Sequence, residues 1–326
     1  KVLNMNFINY TANTENINQR TLKNKVIFSG IGIHNGKAVT MSVEPAEINT
    51  GIVFERLDIK NNNIIEASIK NIDNSSLCSK ITNKFGISVS TIEHLMASLH
   101  GLSIDNAKIK INSPELPAMD GSSDEYTKRL IKSGTIEQDV GKKYLKLLKK
   151  VSVYDNNRYI SITPAEELSI NIEINYPNTI IGNDKFIYKH STFNFINEIS
   201  RARTFALAED INKMRTSGLA LGGTLNNAVV VDKYNILNES GLRFDNEFIK
   251  HKILDCIGDF YLIGMPILGK IECYAPGHKL NHKFIKKILE DASNYQIRSK
   301  YDVNNTDNYY NLLEKNNDNI KKTNAA

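Results

Sequence analysis

The sequence STIEHLMASLHGLSIDNAKIKINSPELPAMDGSS, from Ser90 to Ser123, decides the fold class because a helical pattern and a strand pattern follow each other within it. Between Thr91 and Leu102 the apolar side chains recur at the spacing of an amphipathic helix. Residues Ala107 to Ile111 alternate apolar and polar side chains, as a half-buried strand does. After a turn rich in proline and serine, a second helix is predicted from about Ser123 to Lys132.

A hairpin is predicted upstream of this stretch. Two β-rich segments, Val26–Ile33 and Ala38–Val43, flank the residues His34-Asn35-Gly36-Lys37. An Asn-Gly pair between two such segments is a strong hairpin signal. Downstream, alternation of apolar and polar side chains predicts further strands, which are Tyr144–Tyr154, Tyr159–Thr163 and Leu168–Tyr176.

The end of the chain repeats the same order of elements. The pattern predicts a long helix at Asn246–Ile263, a strand at Ile267–Tyr274, a glycine-containing loop that carries His278, and a helix at Lys283–Ala292. Helix, strand, turn and helix thus close both halves, which indicates a weak internal repeat. We therefore predict an α+β fold of two similar two-layer domains, each a sheet with helices on one face.

The expected domain boundary lies in the polar segment Gly134–Gly141, which lacks periodicity. A chain of 326 residues is long enough for two ordinary domains. We expect a flexible N-terminal extension over residues 1–18, a first domain over 19–138, a second domain over 142–296 and a polar tail over 300–326.

Composition limits the class of function. The chain has 41 Lys and Arg against 36 Asp and Glu, and the net charge of +5 is too weak to require a polyanionic partner. Its three cysteines, Cys78, Cys256 and Cys273, form no Cys-x-x-Cys motif, which fits a reducing compartment. The sequence has no apolar segment of the roughly 18 residues that span a membrane, and its N-terminus lacks the apolar region of a signal peptide. A cytoplasmic protein is therefore expected.

Two pairs of histidine and carboxylate residues predict a metal site. Glu93 directly precedes His94 in the first helix, and His251 stands four residues before Asp255 in the long second-half helix. Residues four apart lie on one helix face, about 6 Å apart along the axis. The second pair can therefore hold one metal ion, and an ordinary surface hydrogen bond is the alternative. With His94 as the third ligand, three protein ligands and one open position describe a catalytic zinc site.

Glu93 has two interpretations in this hypothesis. Beside a zinc ligand, it is the type of group that accepts a proton from a water that attacks a carbonyl. The alternative is an exposed glutamate in the first turn of the helix, where the helix dipole favours a negative charge.

Further polar positions extend the same hypothesis. Asp259 lies one turn further along the second-half helix and could orient or charge His278, which would otherwise be a solvated loop residue. Lys252 is turned about 100° from His251 on the helix and is expected to be free to meet a phosphate or a carbonyl. Thr204 is either an oxyanion donor or a loop or helix-cap residue.

The segment Ser217–Val231, SGLALGGTLNNAVVV, is rich in glycine and small apolar residues. It is not a phosphate loop, since no lysine follows the glycines and no Gly-x-Gly-x-x-Gly motif opens a helix. The segment could line a channel for a lipid chain, and buried strand and turn is the alternative.

With these residues in view, the sequence resembles a known family, the UDP-3-O-acyl-N-acetylglucosamine deacetylases of lipid A synthesis. The motifs occur in order along both halves and include every polar position singled out above. The matching segments are Gln19–Ala46, Ser90–Ser123, Ile199–Asp232, Leu237–Gly264 and Tyr274–His282.

The resemblance implies a two-domain α+β fold with a zinc site in the cleft between the domains. By position, it implies that His94, His251 and Asp255 are the zinc ligands and that Glu93 is the general base. It also implies that His278 is the general acid or oxyanion partner, with Asp259 as its charge partner, and that Thr204 is the oxyanion donor. The implied substrate contacts are Lys252, Phe205, Arg158 and Tyr176, and the implied acyl passage is lined by Ile211, Leu225 and Val230. Arg158 stands where the family often has lysine.

The implied activity is zinc-dependent hydrolysis of the N-acetyl group of UDP-3-O-(3-hydroxyacyl)-N-acetylglucosamine. The products are UDP-3-O-acyl-glucosamine and acetate, and the step commits the substrate to lipid A synthesis. The resemblance implies a cytoplasmic monomer with one zinc ion per chain, iron(II) being the alternative metal, and without nucleic acid as a partner or a membrane span.

Two other classes of function fit the sequence less well than a deacetylase. A nucleic-acid-binding module is compatible with the positive net charge, but the sequence has no basic stripe with interleaved aromatic residues. A catalytically inactive scaffold is disfavoured because the polar positions of the site are all intact.

Overall fold

The predicted α+β class is confirmed by the computed structural model, which describes residues 18–73 and 77–299. Sheets and helices are mixed along these residues. The predicted N-terminal extension, apart from Asn18, and the predicted polar tail lie outside the described residues. Within those residues, no helix combines the length and the apolar character needed to span a membrane.

The first half of the described chain forms one main sheet and two helices. Its strands are β1 (Asn18–Leu22), β2 (Val26–Ile31), β3 (Ala38–Pro45), β4 (Ile52–Arg56), β5 (Ile64–Glu66), β6 (Lys80–Thr82), β7 (Ser88–Ser90), β8 (Ala107–Ile111) and β9 (Thr135–Gly141). Its helices are α1 (Glu93–Gly101) and α2 (Asp124–Ser133), with a 3-10 turn at Ile69–Asn71. The main sheet has the strand order β2-β3-β8-β4-β5, while β1 pairs with β9 and β6 with β7.

The predicted hairpin, helix and strand of the first half are present. β2 and β3 pair antiparallel with Ile31 opposite Ala38, and Gly36 in the connecting turn has a positive φ of 68°, which favours glycine. The inward side chains of this hairpin form part of the core. Phe28 of β2, for example, contacts Tyr126 of α2 with ring centroids 5.0 Å apart.

The second half forms a larger sheet. Its strands are β10 (Lys143–Leu147), β11 (Val151–Asp155), β12 (Arg158–Thr163), β13 (Leu168–Tyr176), β14 (Gly182–Lys189), β15 (Phe205–Leu207), β16 (Val229–Asp232), β17 (Asn235–Ile236), β18 (Ile267–Tyr274) and β19 (Tyr295–Ser299). Its helices are α3 (Thr192–Asn194), α4 (Ala208–Thr216), α5 (Glu247–Phe260) and α6 (His278–Leu289), with a π-helical turn at Phe195–Ile199 and 3-10 turns at Tyr261–Ile263 and Ala292–Asn294.

β18 is the central strand of this larger sheet. The strand order is β11-β12-β18-β10-β19, and β13 pairs with both β18 and β14. A separate small sheet has the order β15-β16-β17. This central strand, Ile267–Tyr274, has the bounds that the sequence predicted.

Two predicted elements of the second half are wrong in their bounds. The predicted strand Tyr144–Tyr154 is two strands, β10 and β11. The alternation of burial stops after Leu147, because residues 148–150 are all exposed before Val151 is buried again. The last helix, predicted at Lys283–Ala292, begins at His278, so His278 lies in the first turn of α6 and not in a loop.

The polar segment Gly134–Gly141, expected to hold the domain boundary, contains strand β9. Thr135 of this strand pairs with Leu22 of β1, so the segment is tied to the first half of the chain. The division into two similar domains at this position stays a prediction.

The two halves meet at α1 and α5. Every residue of α1 is buried, as are nearly all residues of α5. A Cβ atom built on Gly258 of α5 would lie only 2.0 Å from the carbonyl oxygen of Glu93 in α1, so the two helices touch backbone to backbone. This contact places the N-terminus of α1 beside the last turn of α5.

Candidate functional site

A cluster of three possible metal ligands lies where α1 meets α5. His94 is the second residue of α1, and His251 and Asp255 lie one turn apart on α5. The Oδ1 atom of Asp255 lies 3.3 Å from Nε2 of His251 and 3.6 Å from Nε2 of His94. One ligand atom from each residue lies within 4.8 Å of the other two. The structure therefore brings together the three residues that the sequence suggested as metal ligands, and all three are buried, which excludes a surface hydrogen bond as the explanation of the His251 and Asp255 spacing.

The donor set and its surroundings fit a zinc ion. Oδ1 of Asp255 is buried and has no hydrogen-bond partner within the described residues. Nδ1 of His251 donates to the carbonyl oxygen of Ala202 at 3.0 Å, so the lone pair of this neutral ring is on Nε2, which faces the cluster. Ligand atoms about 2.0 to 2.2 Å from one tetrahedral ion lie about 3.3 to 3.6 Å from one another. Oδ1 of Asp255 lies at these distances from Nε2 of His251 and Nε2 of His94.

The protonation state of His251 suits metal binding. Burial lowers the pKa of His251 to about 3, although the charge of Asp255 opposes the shift. The imidazole is therefore neutral at physiological pH and can offer its lone pair to a metal ion.

Glu93, His278 and Asp259 form a second group beside the cluster. Nδ1 of His278 donates to Oδ2 of Asp259 at 2.9 Å, and Nε2 of His278 lies 3.8 Å from Oε1 of Glu93. All three side chains are buried. The alternatives of an exposed glutamate and a solvated loop histidine are therefore excluded.

The pKa values of His278 and Glu93 are both raised, for different reasons. Burial disfavours a charged His278, but the charge and the hydrogen bond of Asp259 outweigh it and raise the pKa of His278 to about 10. Burial also raises the pKa of Glu93, with the positive charge of His278 opposing the shift. The site thus holds a protonated histidine next to a carboxyl group with raised pKa, which is a donor and an acceptor of protons in one place.

Three further residues of this group were missed by the sequence analysis. Asn281 donates to Oδ2 of Asp259 at 2.7 Å. Ser79 contacts Asp259 through Oγ, and Nε2 of His282 lies 2.7 Å from the same Oγ atom. His282 follows His278 by four residues on α6, a helical spacing that could have indicated it. Ser79 had no such signal, because only the tertiary fold brings it to α5.

Lys252 differs from its expected state. Its position on the helix predicted a free ammonium group, but Nζ donates to Oδ2 of Asp255 at 3.0 Å. Nζ also lies 5.3 Å from the centroid of the Phe205 ring. Lys252 therefore fixes one oxygen of Asp255 and leaves the other facing the two histidines.

A large cavity begins at Lys252. Its volume is about 820 Å³, and the residues expected to line an acyl passage, Ile211, Leu225 and Val230, all lie along it. Thr204 borders the same cavity, as do the suggested substrate contacts Phe205 and Tyr176. Since Lys252 contacts Asp255, the cavity adjoins the metal cluster.

Two suggested site residues have mainly structural contacts in the described chain. The guanidinium group of Arg158 pairs with Asp155 in the β11–β12 hairpin and is not among the residues that line the cavity. Thr204 uses its backbone in the fold, since its N–H donates to the carbonyl oxygen of Gly121 at 2.8 Å. Thr204 nevertheless borders the cavity.

Comparison with known proteins gives one consistent result. Residues 19–290 match the family model described as UDP-3-O-acyl N-acetylglycosamine deacetylase. A UDP-3-O-acyl-N-acetylglucosamine deacetylase of Campylobacter fetus is 43% identical over 279 residues, which are 86% of this chain and 94% of that protein. Proteins of the same name from Nitratiruptor sp. and Actinobacillus succinogenes are 43% and 40% identical, over 86% of this chain and 93% of each relative.

The three candidate ligands predict which substitutions weaken metal binding. Asp255→Ala removes a ligand and should reduce zinc binding at least tenfold, whereas Glu93→Ala removes no ligand and should keep about one zinc ion per chain. The measurement is the zinc content of each purified, zinc-loaded variant after dialysis, together with its affinity for zinc by competition with a chelator. Loss of zinc from Glu93→Ala would reassign Glu93 to the ligand set.

Proposed function

This chain belongs to the UDP-3-O-acyl N-acetylglycosamine deacetylase family, and we propose that it hydrolyses the N-acetyl group of UDP-3-O-(3-hydroxyacyl)-N-acetylglucosamine in a zinc-dependent reaction. The products are UDP-3-O-acyl-glucosamine and acetate, and the step commits the substrate to lipid A synthesis. One observation carries the proposal: a buried zinc-type donor set stands between a Glu–His pair and a large, mainly apolar cavity.

Three residues would hold the metal, namely His94, His251 and Asp255. When bound, zinc supplies a Lewis acid for the amide carbonyl and a water whose pKa is lowered to about 7. The same nitrogen and oxygen donors also suit iron(II), so iron(II) is the alternative metal in the cell.

Glu93 and His278 carry the proton transfers. Glu93, whose pKa is raised by burial, accepts the proton of the attacking water. His278, kept protonated by Asp259, donates the Nε2 proton to the nitrogen that leaves as an amine. The two atoms that exchange protons with the reactants lie 3.8 Å apart, close enough to serve one amide group.

Other residues stabilise charge and bind the substrate. Thr204 borders the cavity, and its hydroxyl group donates a hydrogen bond to the oxygen that becomes negative as the carbonyl is attacked. Lys252, Phe205 and Tyr176 line the same space and contact the sugar nucleotide. Arg158 provides a further cation for the diphosphate once its guanidinium group leaves the ion pair with Asp155 and binds a phosphate oxygen instead.

The apolar part of the cavity holds the acyl chain. Ile211, Leu225 and Val230 form part of its wall. Burial of each methylene group contributes about 0.8 kcal/mol, so a long chain supplies much of the affinity even after the cost of immobilising it.

The expected setting of the enzyme is the cytoplasm, as a monomer that acts on a small molecule and not on nucleic acid. Among the described residues, Cys256 and Cys273 are buried thiols outside any disulfide, in keeping with a reducing compartment.

The direct test of this function is release of acetate from the acylated nucleotide sugar by the zinc-loaded protein. Glu93→Ala should lose most turnover, by about 100-fold or more, because it removes a proton acceptor. Metal content is measured on the same samples, so that loss of turnover is separated from loss of zinc. Failure of the zinc-loaded and the iron-loaded parent protein to release acetate would refute the proposed function.

The pH dependence follows from the raised pKa of His278. His278 holds its proton below a pKa of about 10, so kcat/KM should fall as pH rises through that value. In Asp259→Asn the negative charge that keeps His278 protonated despite its burial is lost. The basic limb of the pH profile should therefore move downward by about one pH unit or more. Asp124→Asn, which removes a carboxylate from a surface ion pair with Lys128, is the matched control. A basic limb that stays in place in Asp259→Asn would show that the limb does not report His278.

The cavity predicts a selective effect on KM. Leu225→Asp places a charge on the wall of the apolar cavity and should raise KM for the acylated substrate by about tenfold or more, with zinc content unchanged. Leu148→Asp is the control, since Leu148 is 49% exposed, Leu225 is 46% exposed, and only Leu225 lines the cavity. If the unmodified enzyme hydrolyses acylated and non-acylated nucleotide sugars equally well, the segment Ser217–Val231 does not form an acyl channel.

A further inference from the structure

Ser79 contacts two carboxylates of the proposed site, those of Glu93, which is one member of the proton-transfer pair, and of Asp259, which holds the other member. Its backbone N–H donates to Oε2 of Glu93 at 3.0 Å, and its hydroxyl group is hydrogen-bonded to Oδ1 of Asp259. Ser79 is fully buried and directly precedes β6. One residue of the first half therefore links the start of α1 to the last turn of α5.

The direction of each hydrogen bond follows from the chemistry of the groups. An ionised carboxylate can only accept, so the Ser79 hydroxyl donates to Oδ1 of Asp259. Nε2 of His282 lies 2.7 Å from Oγ of Ser79 and therefore donates to a lone pair of that oxygen. A chain of donors, His282 to Ser79 to Asp259, thus occupies Oδ1 and leaves Oδ2 to accept from His278 at 2.9 Å.

We propose that Ser79 is a positioning residue for the deacetylation: its hydroxyl sets the rotation of the Asp259 carboxylate, which orients His278, while its N–H holds Glu93. This inference rests on the proposed function, in which Glu93 accepts a proton and His278 donates one. The contacts of Ser79 join the Glu93 carboxylate to the pair of Asp259 and His278. In this way Ser79 helps to set the 3.8 Å distance from Oε1 of Glu93 to Nε2 of His278.

The loss of the hydroxyl group has a specific consequence. Oδ1 of Asp259 would lose its donor, and Nε2 of His282 already lies 3.7 Å from that oxygen. Without Ser79 between them, Asp259 can turn toward His282, because a buried carboxylate seeks a new donor. The turn weakens the hydrogen bond to His278, since both histidines then compete for one carboxylate.

The experiment compares Ser79→Ala, Ser79→Thr and Ser98→Ala with the parent in the zinc-loaded form. Ser79→Ala keeps the backbone N–H to Glu93 and should lower kcat by about 10- to 100-fold, with KM for the acylated nucleotide sugar and zinc content unchanged. Ser79→Thr restores a hydroxyl group and should return kcat to within a few-fold of the parent. Ser98 is a matched control, since it is a fully buried serine of α1 whose hydroxyl contacts Thr127, outside this network.

A second readout does not depend on turnover. In protein with ¹⁵N-labelled histidine, the Nδ1 proton of His278 should exchange slowly with solvent in the parent, Ser79→Thr and Ser98→Ala, and faster in Ser79→Ala. If the parent fails to release acetate, the proposed function is refuted, while this exchange measurement still decides whether Ser79 positions His278.

The outcomes that would overturn the inference are equally specific. They are equal kcat values for Ser79→Ala and Ser98→Ala, a loss that appears in KM or zinc content alone, or an unchanged exchange rate of the His278 proton. If Ser79→Ala does not fold, as judged by thermal unfolding, His282→Leu takes its place, because it removes the donor to Ser79 from α6. A lower kcat in His282→Leu at parental zinc content supports the inference, and an unchanged kcat overturns it.

Discussion

Backbone contact between α1 and α5 places Glu93 and His94 of α1 against the metal-ligand candidates and Asp259 of α5. The position where a Cβ of Gly258 would be is 2.0 Å from the carbonyl oxygen of Glu93, so any larger residue would push the helices apart. The metal cluster takes His94 from α1 and two residues from α5, and its ligand atoms are separated by 3.3 and 3.6 Å. Metal coordination tolerates deviations of only about 0.2 Å. A glycine one turn beyond Asp255 is therefore a requirement of the site and not only of the packing.

The buried charges at this contact are compensated to different degrees. Asp259 accepts hydrogen bonds from His278 and Asn281 as well as from Ser79, so its pKa is held low although burial raises it. Glu93 has the Ser79 N–H at 3.0 Å and His278 at 3.8 Å, and burial prevails in raising its pKa. The pKa values of the two carboxyl groups are thus shifted in opposite directions. Glu93 becomes a stronger proton acceptor, whereas Asp259 stays ionised and keeps His278 protonated as the proposed proton donor.

The local periodicity of the sequence was sufficient to predict most helices and strands, and the ligand candidates that lie within one helix. The spacing from His251 to Asp255 lies within one helix, and β18 has its predicted bounds because its alternation is uninterrupted. The break between Leu147 and Leu148 was missed because both residues are apolar, and only the sheet decides which one faces inward. The donor from Lys252 to Asp255 and the contacts of Ser79 depend on side-chain direction and on residues far apart in the chain, which periodicity does not encode.

Lys252 connects binding to chemistry in the proposed enzyme. Its ammonium group holds Oδ2 of Asp255, while its side chain borders the cavity and its charge lies over the Phe205 ring. If the cavity holds the acyl chain as proposed, the chain would displace water from this end of the site, and the loss of water would strengthen the attraction between Lys252 and Asp255. The carboxylate would then be held more firmly with Oδ1 toward His94 and His251. Apolar contacts remote from the amide can in this way improve the geometry of the metal ligands, so that part of the binding energy of the acyl chain is used in catalysis.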